Sequence, residues 1–306
     1  MKIAIIGRSE NLFSTAQLLM KHGHTIVCVL TAKEAPEYLK GSEDFRKLAA
    51  QLKVPFAHSA KIESQLPMLK DSGAEVGVSI NFPAVIPKII TDAFPHGILN
   101  AHGGDLPRYR GNACQAWAII NGEEKIGLCV HRMVGGELDN GDIIERDFFP
   151  IGINTKIAEV YRFFAKRVPQ LFLQAIDRLD HDPSFCLEVQ SKDPKDALRC
   201  YPRRPEDGRI DWNQSAVNIL RLVNASSDPY PGAFCYLNER KLIVWDAEIY
   251  DNKERFCSIP GQILQIEKSG VSVATGNGVL RITKSEQDDQ VGKPELWIKS
   301  IRTRLS

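Results

Sequence analysis

The chain lacks a strong charge of one sign and any long hydrophobic run. Its 306 residues include 39 Lys and Arg against 38 Asp and Glu, which leaves a net charge of +1. Such a balance gives no global field for gathering nucleic acid or an anionic membrane, so neither is an expected partner. No run approaches the roughly 18 apolar residues of a membrane span. The apolar stretch at the amino terminus, Ile3 to Ile6, is too short for a signal-peptide core.

Cysteines are few, and their spacing forms no recognisable framework. There are seven, an odd number, and no two form a CxxC pair. The sequence therefore predicts neither a disulfide framework nor a structural zinc site, and we expect no metal. Reduced thiols are typical of the cytoplasm, which is the predicted location.

The first strand–helix turn also lacks the second and third glycines of a dinucleotide-binding motif. Lys2 to Ile6 is typical of a buried strand, and Gly7 closes it. A dinucleotide-binding turn needs two further glycines so that the backbone can approach a pyrophosphate, and the following residues, Arg8 to Leu12, contain none. The sequence therefore argues against a nicotinamide cofactor.

Strand and helix patterns alternate in the first half of the chain. Such alternation predicts an α/β fold, with a parallel sheet covered by helices on both faces. In these sheets, ligands bind beyond the carboxyl ends of the strands. The predicted strands are 2–6, 25–30, 76–80, 97–100, 128–132 and 142–149, and the predicted helices are 11–22, 45–52 and 156–179.

The pattern changes after a polar, proline-rich stretch at 180–209. Beyond it, a short helix at 215–225 precedes five β-rich runs separated by tight turns, which is typical of a small barrel. The runs are 233–237, 241–250, 261–266, 271–275 and 279–283. We therefore expect a catalytic domain at 1–190, a linker at 191–208 and a β-barrel domain at 209–306.

One strand end carries the residues best suited to chemistry. Asn100 and His102 are two apart, so their side chains leave the same face of a strand. A neutral imidazole accepts a proton near neutral pH, and an amide donates to a developing oxyanion. Asp139, on a later loop, is the candidate for orienting the imidazole, as the third member of a triad does. The pair therefore favours acyl transfer, although an Asn-x-His pair at a strand end is also common by chance.

Other polar residues nearby have simpler interpretations. Taken alone, Arg108 and Arg110 are typical of solvated loop cations. His96 and His131 are expected to be structural or surface histidines.

Three sequence blocks together indicate a family. They are Asn100-x-His102 followed by Leu106-Pro107-x-Tyr109-Arg110-Gly111, then Leu138-Asp139-x-Gly141-Asp142-Ile143, and the earlier stretch Ser79 to Pro87. In this order and spacing they resemble the formyltransferases that use 10-formyltetrahydrofolate, over about residues 1–180. The resemblance implies a Rossmann-like catalytic domain.

The tail carries a second resemblance. Arg204-Pro205-Glu206-Asp207-Gly208-x-Ile210-Asp211-Trp212 and Asp228 to Phe234 are similar to the OB-like barrel domain of methionyl-tRNA formyltransferases. The same domain follows the catalytic domain of the formyltransferase that modifies UDP-aminoarabinose.

The resemblance implies roles for particular residues. It makes Asn100 the oxyanion donor, His102 the base and Asp139 its support, with direct attack by an amine and no covalent enzyme intermediate. The folate co-substrate, 10-formyltetrahydrofolate, is expected near Phe82, Val85, Ile86 and Asp142. The expected acceptor contacts are Arg8, Ser9, Glu10, Asn11 and Asn112.

Two acceptors compete within the family. The loop Gly103 to Cys114 is similar to that of nucleotide-sugar N-formyltransferases of lipopolysaccharide pathways, which favours a nucleotide-linked amino sugar such as a 4-amino-4,6-dideoxyhexose. The region Thr31 to Phe45 lacks the basic insertion of the tRNA enzymes. The tail from Pro205 to Ser306 has 13 Lys and Arg against 14 Asp and Glu, a charge of −1, whereas tRNA docking requires a basic surface.

Methionyl-tRNA formylation is the alternative. A third hypothesis is that the chain is an inactive binding protein. The intact Asn100, His102 and Asp139 disfavour it. Sugar formyltransferases are often dimers, so a homodimer is also considered, although no exposed apolar stripe in the sequence indicates one.

Overall fold

The computed structural model describes residues 1–36, 38–251 and 254–306. The chain forms two units, each assembled from separate stretches of sequence. The first contains Met1–Cys114, Ile126–Phe149 and Tyr161–Cys200. The second contains Gln115–Lys125, Pro150–Val160 and Tyr201–Ser306.

A mostly parallel sheet forms the first unit, which confirms the predicted α/β class. The strands up to Cys200 are β1 (Lys2–Gly7), β2 (Thr25–Thr31), β3 (Phe56–His58), β4 (Val76–Ile80), β5 (Ile98–His102), β6 (Tyr109–Gly111), β7 (Lys125–Arg132), β8 (Ile143–Pro150) and β9 (Leu198–Cys200). Seven of them form one sheet in the order β3-β2-β1-β4-β5-β7-β8. Pairing is parallel from β3 to β5, whereas β7 runs antiparallel to β5.

The helices are α1 (Glu10–Lys21), α2 (Ser42–Leu52), α3 (Leu66–Asp71), α4 (Lys88–Thr91), α5 (Cys114–Asn121), α6 (Ile157–His181) and α7 (Ala216–Ser226). In α1, the buried residues Leu12, Ala16 and Leu19 recur at helical spacing, so one face packs inward. The four longest helices match the predicted ones within a few residues. Helices α3 to α5 and strands β3, β6 and β9 were not predicted, because they are too short to show a hydrophobic period.

Gly7 sets the shape of the first strand–helix turn. Its φ is +129°, and a Cβ at this position would collide with the carbonyl oxygen of Ile80 at the end of β4. The next amide, that of Arg8, donates to the same carbonyl at 2.9 Å. The glycine thus permits two neighbouring strand ends to approach closely, a role that needs no dinucleotide.

The segment expected to be a linker contains ordered structure. Within 191–208, β9 pairs in parallel with β6, and the amide of Leu198 donates to the carbonyl of Arg108. Residues up to Cys200 therefore pack with the first unit, and the boundaries 1–190, 191–208 and 209–306 stay a prediction.

An antiparallel sheet forms most of the second unit. Its strands are β10 (Ala233–Leu237), β11 (Arg240–Ile249), β12 (Ile263–Glu267), β13 (Gly270–Ala274), β14 (Val279–Gln287) and β15 (Gln290–Gly292). The order is β10-β11-β14-β13-β12, with β15 on β14. The last residues connect the two edges: Leu305 donates to Gly261 beside β12, and Ser306 exchanges backbone hydrogen bonds with Tyr236 in β10. The sheet is thereby closed, as the predicted small barrel requires.

No helix among the described residues combines the length and the apolar composition needed to cross a membrane.

Candidate active site

Strand β5 presents two of the predicted catalytic side chains at its carboxyl end. Asn100 is half-buried and His102 is buried. Because they are two residues apart in a strand, both side chains leave the same face of the sheet. The strand extends two residues further than predicted, so His102 belongs to the strand and its backbone is held by pairing with Cys129 of β7.

The loop after β5 folds back against His102. Leu106 and Tyr109 are buried and anchor it, and the Leu106–Pro107 peptide bond is cis. Gly104 lies so close to the imidazole that a Cβ there would stand 2.6 Å from His102 Nε2, and closer still to the carbonyl oxygen of Tyr109. A side chain at position 104 would therefore separate the imidazole from the loop.

Asp139 is brought to His102 by the loop between β7 and β8. Its φ is +49°, in the left-handed region that aspartate tolerates better than most residues. Its Oδ2 lies 3.4 Å from His102 Nδ1 and accepts a hydrogen bond of 3.0 Å from the amide of Gly111. The predicted catalytic residues Asn100, His102 and Asp139 are thus assembled in one cluster.

Asp139 is ionised despite its burial. Burial by itself raises the pKa of this carboxyl, because desolvation penalises the charged form. The imidazoles of His102 and His131 and the amide of Gly111 outweigh that effect and hold the pKa of Asp139 well below its usual range. At neutral pH, a fixed negative charge therefore faces His102.

Both nitrogens of His102 face oxygen atoms. Nε2 lies 2.6 Å from the carbonyl oxygen of Tyr109, and Nδ1 faces the Asp139 carboxylate. A carbonyl oxygen only accepts hydrogen bonds, so Nε2 carries a hydrogen in this arrangement. The Asp139 carboxylate likewise only accepts hydrogen bonds, so both ring nitrogens of His102 face acceptors.

The thiol of Cys114 lies 3.7 Å from His102 Nε2, which resembles a cysteine–histidine nucleophile pair. Burial raises the pKa of the Cys114 thiol far above its ordinary value, and the neighbouring Cys200 and Asp139 raise it further. Only a thiolate is an effective nucleophile, so Cys114 is a buried, protonated neighbour of the site.

His131 is a site residue that sequence reasoning missed. Its side chain is 1% exposed, so of the two expectations for it, structural or surface, only the surface one is wrong. Its Nε2 lies 3.2 Å from Asn100 Nδ2 and 3.5 Å from Asp139 Oδ1. The available signal was its alternation with Cys129 on β7, which places both on one face of that strand, but the strand opposite could not be read from the sequence.

Arg110 is not a solvated loop cation. Its guanidinium donates to Gln190 Oε1 and to the carbonyl oxygen of Ser191. Gln190 is buried, donates through Nε2 to the Gly141 carbonyl, and its backbone amide donates to Asp142. Arg110 and Gln190 thus connect the loop after β5 with the loop that carries Asp139.

The predicted folate residues occupy different environments. Val85 is 53% exposed and Phe82 is half-buried, so both can contact a ligand. The side chain of Ile86 is fully buried in the core, and its carbonyl accepts from the amide of Gly136, so it has a packing role. The carboxylate of Asp142 is engaged by the Gln190 amide.

The residues predicted to contact the formyl acceptor also differ in their accessibility. Arg8 donates to the carbonyls of Asn81 and Lys33, and the Glu10 carboxylate accepts from the amide of Leu39, so both hold the surrounding loops. Ser9 is buried, which leaves its hydroxyl inaccessible. Asn11 is half-buried and Asn112 is exposed, so these two remain available to a ligand.

Within the described residues, no three His, Cys, Asp or Glu side chains are grouped so as to hold a metal ion.

The fold and this cluster define an α/β protein with a group of polar and titratable side chains at the carboxyl end of strand β5. Residues 1–176 match the family model described as formyl transferase, and residues 203–301 match the formyl transferase C-terminal domain. Because the first match alone covers more than half of the chain, this protein belongs to the formyl transferase family and is a formyl-transfer enzyme.

Individual relatives differ in their acceptors. Methionyl-tRNA formyltransferase of Citrifermentans bemidjiense is 28% identical over 302 residues, which cover 96% of this chain and 91% of that protein. Among solved structures, the N-formyltransferase from Helicobacter canadensis in complex with folinic acid and dTDP-3-aminofucose has a TM-score of 0.68 at 16% identity, covering 92% of this chain and 99% of that one.

Two further solved structures share the fold. WlaRD, a sugar 3N-formyl transferase solved with dTDP and 5-N-formyl-THF, has a TM-score of 0.66 at 18% identity and covers 95% and 98% of the two chains. HypX from Aquifex aeolicus has a TM-score of 0.62 at 19% identity over 98% of this chain, which spans about half the length (47%) of that protein.

Proposed function

We propose that this enzyme transfers a formyl group from 10-formyltetrahydrofolate to the primary amine of a nucleotide-linked amino sugar. The observation that carries the proposal is the cluster of Asn100, His102 and Asp139 at the carboxyl edge of a family-matched sheet. Ligands of such sheets bind at this edge. The predicted acceptor is a 4-amino-4,6-dideoxyhexose nucleotide.

Each member of the cluster has a distinct part in this reaction. A new C–N bond forms between the amine and the formyl carbon, and the bond from that carbon to the folate nitrogen breaks. Asn100 donates a hydrogen bond to the formyl oxygen as negative charge develops there. His102 takes the proton that the amine loses, and the departing folate nitrogen regains one. Asp139 holds His102 in place and stabilises its charged form.

The amine itself is the nucleophile in this proposal. Cys114, the thiol nearest to His102, is kept protonated by its burial and by neighbouring Cys200 and Asp139, so it does not accept the formyl group. A direct transfer accordingly needs no covalent enzyme intermediate.

The edge of the sheet also suits a folate donor. The exposed side chain of Val85 and the half-buried ring of Phe82 offer apolar surface for a flat pterin. Ser79 stands beside Asn100 in the β4–β5 register, and its buried hydroxyl has no hydrogen-bond partner among the described residues. Because Ser79 is as buried as Ser9, its hydroxyl is likewise inaccessible and adds no contact to the donor. When bound, 10-formyltetrahydrofolate supplies an activated one-carbon unit.

Charge supports a sugar nucleotide over tRNA. Beside the region 31–45, where the tRNA enzymes carry a basic insertion, Lys40 pairs with Asp44 of α2, and Arg46 pairs with Glu43 within α2. In the second unit, Arg281 pairs with Glu248 and Glu267. These cations are already compensated, whereas tRNA binding depends on cations that neutralise phosphates.

Methionyl-tRNA formylation is the second candidate. It is favoured by the 28% identity that extends through both units of the chain to a methionyl-tRNA formyltransferase. The two candidates differ in one measurable way, because a protein that neutralises six or more phosphates loses affinity steeply as salt is raised.

The deciding experiment compares acceptors side by side. The enzyme is given 10-formyltetrahydrofolate with methionyl-tRNA, with a dTDP-4-amino-4,6-dideoxyhexose or with a dTDP-3-amino-3,6-dideoxyhexose, and kcat/KM is measured for each. We expect the 4-amino sugar to be preferred. A higher kcat/KM for the tRNA overturns the sugar proposal, and a higher value for the 3-amino sugar keeps the class but corrects the position.

A further inference from the structure

His131 in β7 lies directly opposite Asn100 in the neighbouring strand β5. Strand β7 pairs with β5 in antiparallel fashion, and Asn100 and His131 are opposite each other in that register. Side chains that face each other in this way are in contact and influence each other's orientation. His131 is almost completely buried, so the surrounding core fixes its position.

The hydrogen bonds of His131 give its two nitrogens different roles. Nδ1 lies 3.3 Å from the carbonyl oxygen of Arg132, an acceptor, so Nδ1 carries the hydrogen of the neutral ring. Nε2 is then left with a lone pair, and it lies 3.2 Å from the amide nitrogen of Asn100. The competing arrangement, a hydrogen on Nε2 directed to Asp139 Oδ1, uses the longer contact of 3.5 Å.

An asparagine carboxamide has two ends of nearly equal size and opposite hydrogen-bonding character. A formyl oxygen that gains negative charge is stabilised by the NH2 end and repelled by the carbonyl end. Sterics alone do not choose between the two ends, because a rotation of about 180° exchanges them. A neighbour that can only accept selects the NH2 end.

We propose that His131 is a positioning residue, which accepts one hydrogen of the Asn100 amide and thereby directs the second toward the reacting formyl oxygen. This inference rests on the proposed role of Asn100. It assigns His131 no contact with the substrate. Its effect therefore appears in the chemical step and not in substrate binding.

Two substitutions separate this role from simple packing. Gln places an oxygen where Nε2 of histidine stands, so His131→Gln retains an acceptor. Leu fills similar volume without one. We expect His131→Leu to lower kcat by about 10- to 100-fold with little change in KM, and His131→Gln to stay within about fivefold of wild type. Thermal unfolding of both variants checks that the fold is retained.

The Asn100→Ala background tests whether His131 acts through Asn100. If it does, adding His131→Leu to Asn100→Ala causes no further loss, because the group that His131 positions is gone. An equal loss in both backgrounds overturns the proposal, as does an equal loss of kcat in His131→Leu and His131→Gln.

A spectroscopic measurement decides the question without turnover. In full-length enzyme labelled with 15N-histidine, the His131 signals are identified by their loss in His131→Gln. We expect a protonated Nδ1 and an unprotonated Nε2 at mildly alkaline pH. A protonated Nε2 overturns the proposal, even where His131→Leu does not fold.

Failure of the sugar proposal is distinguishable from failure of this one. The acceptor that the wild-type enzyme prefers decides the sugar proposal. The His131 variants are then compared on that acceptor, whether it is the sugar or the tRNA. If wild type uses none of the acceptors offered, the nitrogen signals of His131 still decide the positioning role.

Discussion

Nε2 of His102 is hydrogen-bonded to the carbonyl oxygen of Tyr109 at 2.6 Å. This bond occupies the nitrogen that a base would use to take a proton from the acceptor amine. Productive geometry often tightens only when substrate is bound, so we infer that Nε2 exchanges Tyr109 for the amine in the reacting complex. The loop that carries Tyr109 is consequently part of the mechanism proposed for His102.

The kcat/KM of the enzyme should depend on pH. The amine must be unprotonated to attack, and His102 must have lost one of its two ring protons to act as a base. We therefore expect kcat/KM to rise from acidic toward mildly alkaline pH. A profile measured from about pH 6 to 9 that is flat, or that falls over this range, contradicts His102 as the base.

Gly104→Ala tests the arrangement of His102 and Tyr109. The added Cβ would lie 2.6 Å from Nε2 of the imidazole, so the loop or the ring has to move. Overpacking of this kind typically costs about 1–3 kcal/mol of stability. We expect activity to fall at least about tenfold, since a misplacement near 1 Å can cost about 100-fold.

The matched control for this variant is Gly152→Ala. A Cβ at Gly152 meets no atom within 4 Å. Its stability and kinetics should therefore remain close to wild type. Full activity in Gly104→Ala would show that the geometry around His102 is not needed for turnover.

Removal of the catalytic side chains should abolish turnover while the fold is kept. Loss of one preorganised oxyanion donor typically costs about 100- to 1000-fold. We expect Asn100→Ala and His102→Ala each to approach background, and His96→Ala, a histidine outside the cluster, to behave as wild type. Retention of more than about a tenth of wild-type kcat/KM in either cluster variant rejects the assigned role.

Asp139→Asn links the cluster to acid stability. Asn keeps the size of the side chain and tolerates the left-handed backbone at this position. Because folding lowers the pKa of Asp139, its ionised form stabilises the protein above the unfolded pKa of about 3.9, and this contribution is lost as pH falls toward the folded value.

The lowered pKa of Asp139 predicts how the stabilities of the two proteins differ with pH. The difference in unfolding free energy between wild type and Asp139→Asn is compared with its value at about pH 5, where the carboxyl is ionised in the folded and the unfolded state. Below that, it should shrink by up to about 1.4 kcal/mol per pH unit. Urea unfolding between about pH 3.5 and 7 measures it. A difference that is independent of pH contradicts the lowered pKa.

Val85→Ser tests the donor site. Val85 and Ile89 are equally exposed, at 53% and 55%, so serine at either costs little stability. A reduced folate that binds only the folded state raises the melting temperature by mass action. We expect 5-formyltetrahydrofolate to stabilise wild type and Ile89→Ser equally, and Val85→Ser less. Equal shifts in all three proteins would place the folate elsewhere.

Much of the fold was accessible from the sequence because it depends on local pattern. The apolar run Lys2 to Ile6 predicted the first strand and the pattern at 11–22 predicted the first helix, and the structure confirms both. The two-residue separation of Asn100 and His102 placed them on one face through the period of a strand, which holds wherever the strand lies.

The tertiary structure alone decided which groups surround these two residues. His131 reaches Asn100 through the antiparallel register of β5 and β7, and Tyr109 reaches His102 because Gly104 permits close approach. Likewise, Leu305 and Ser306 close the barrel by joining its two edge strands. Pairing of this kind depends on register between segments distant in sequence. Local hydrophobic periodicity does not encode that register, because it reports which face of each element is buried and not which strand lies opposite.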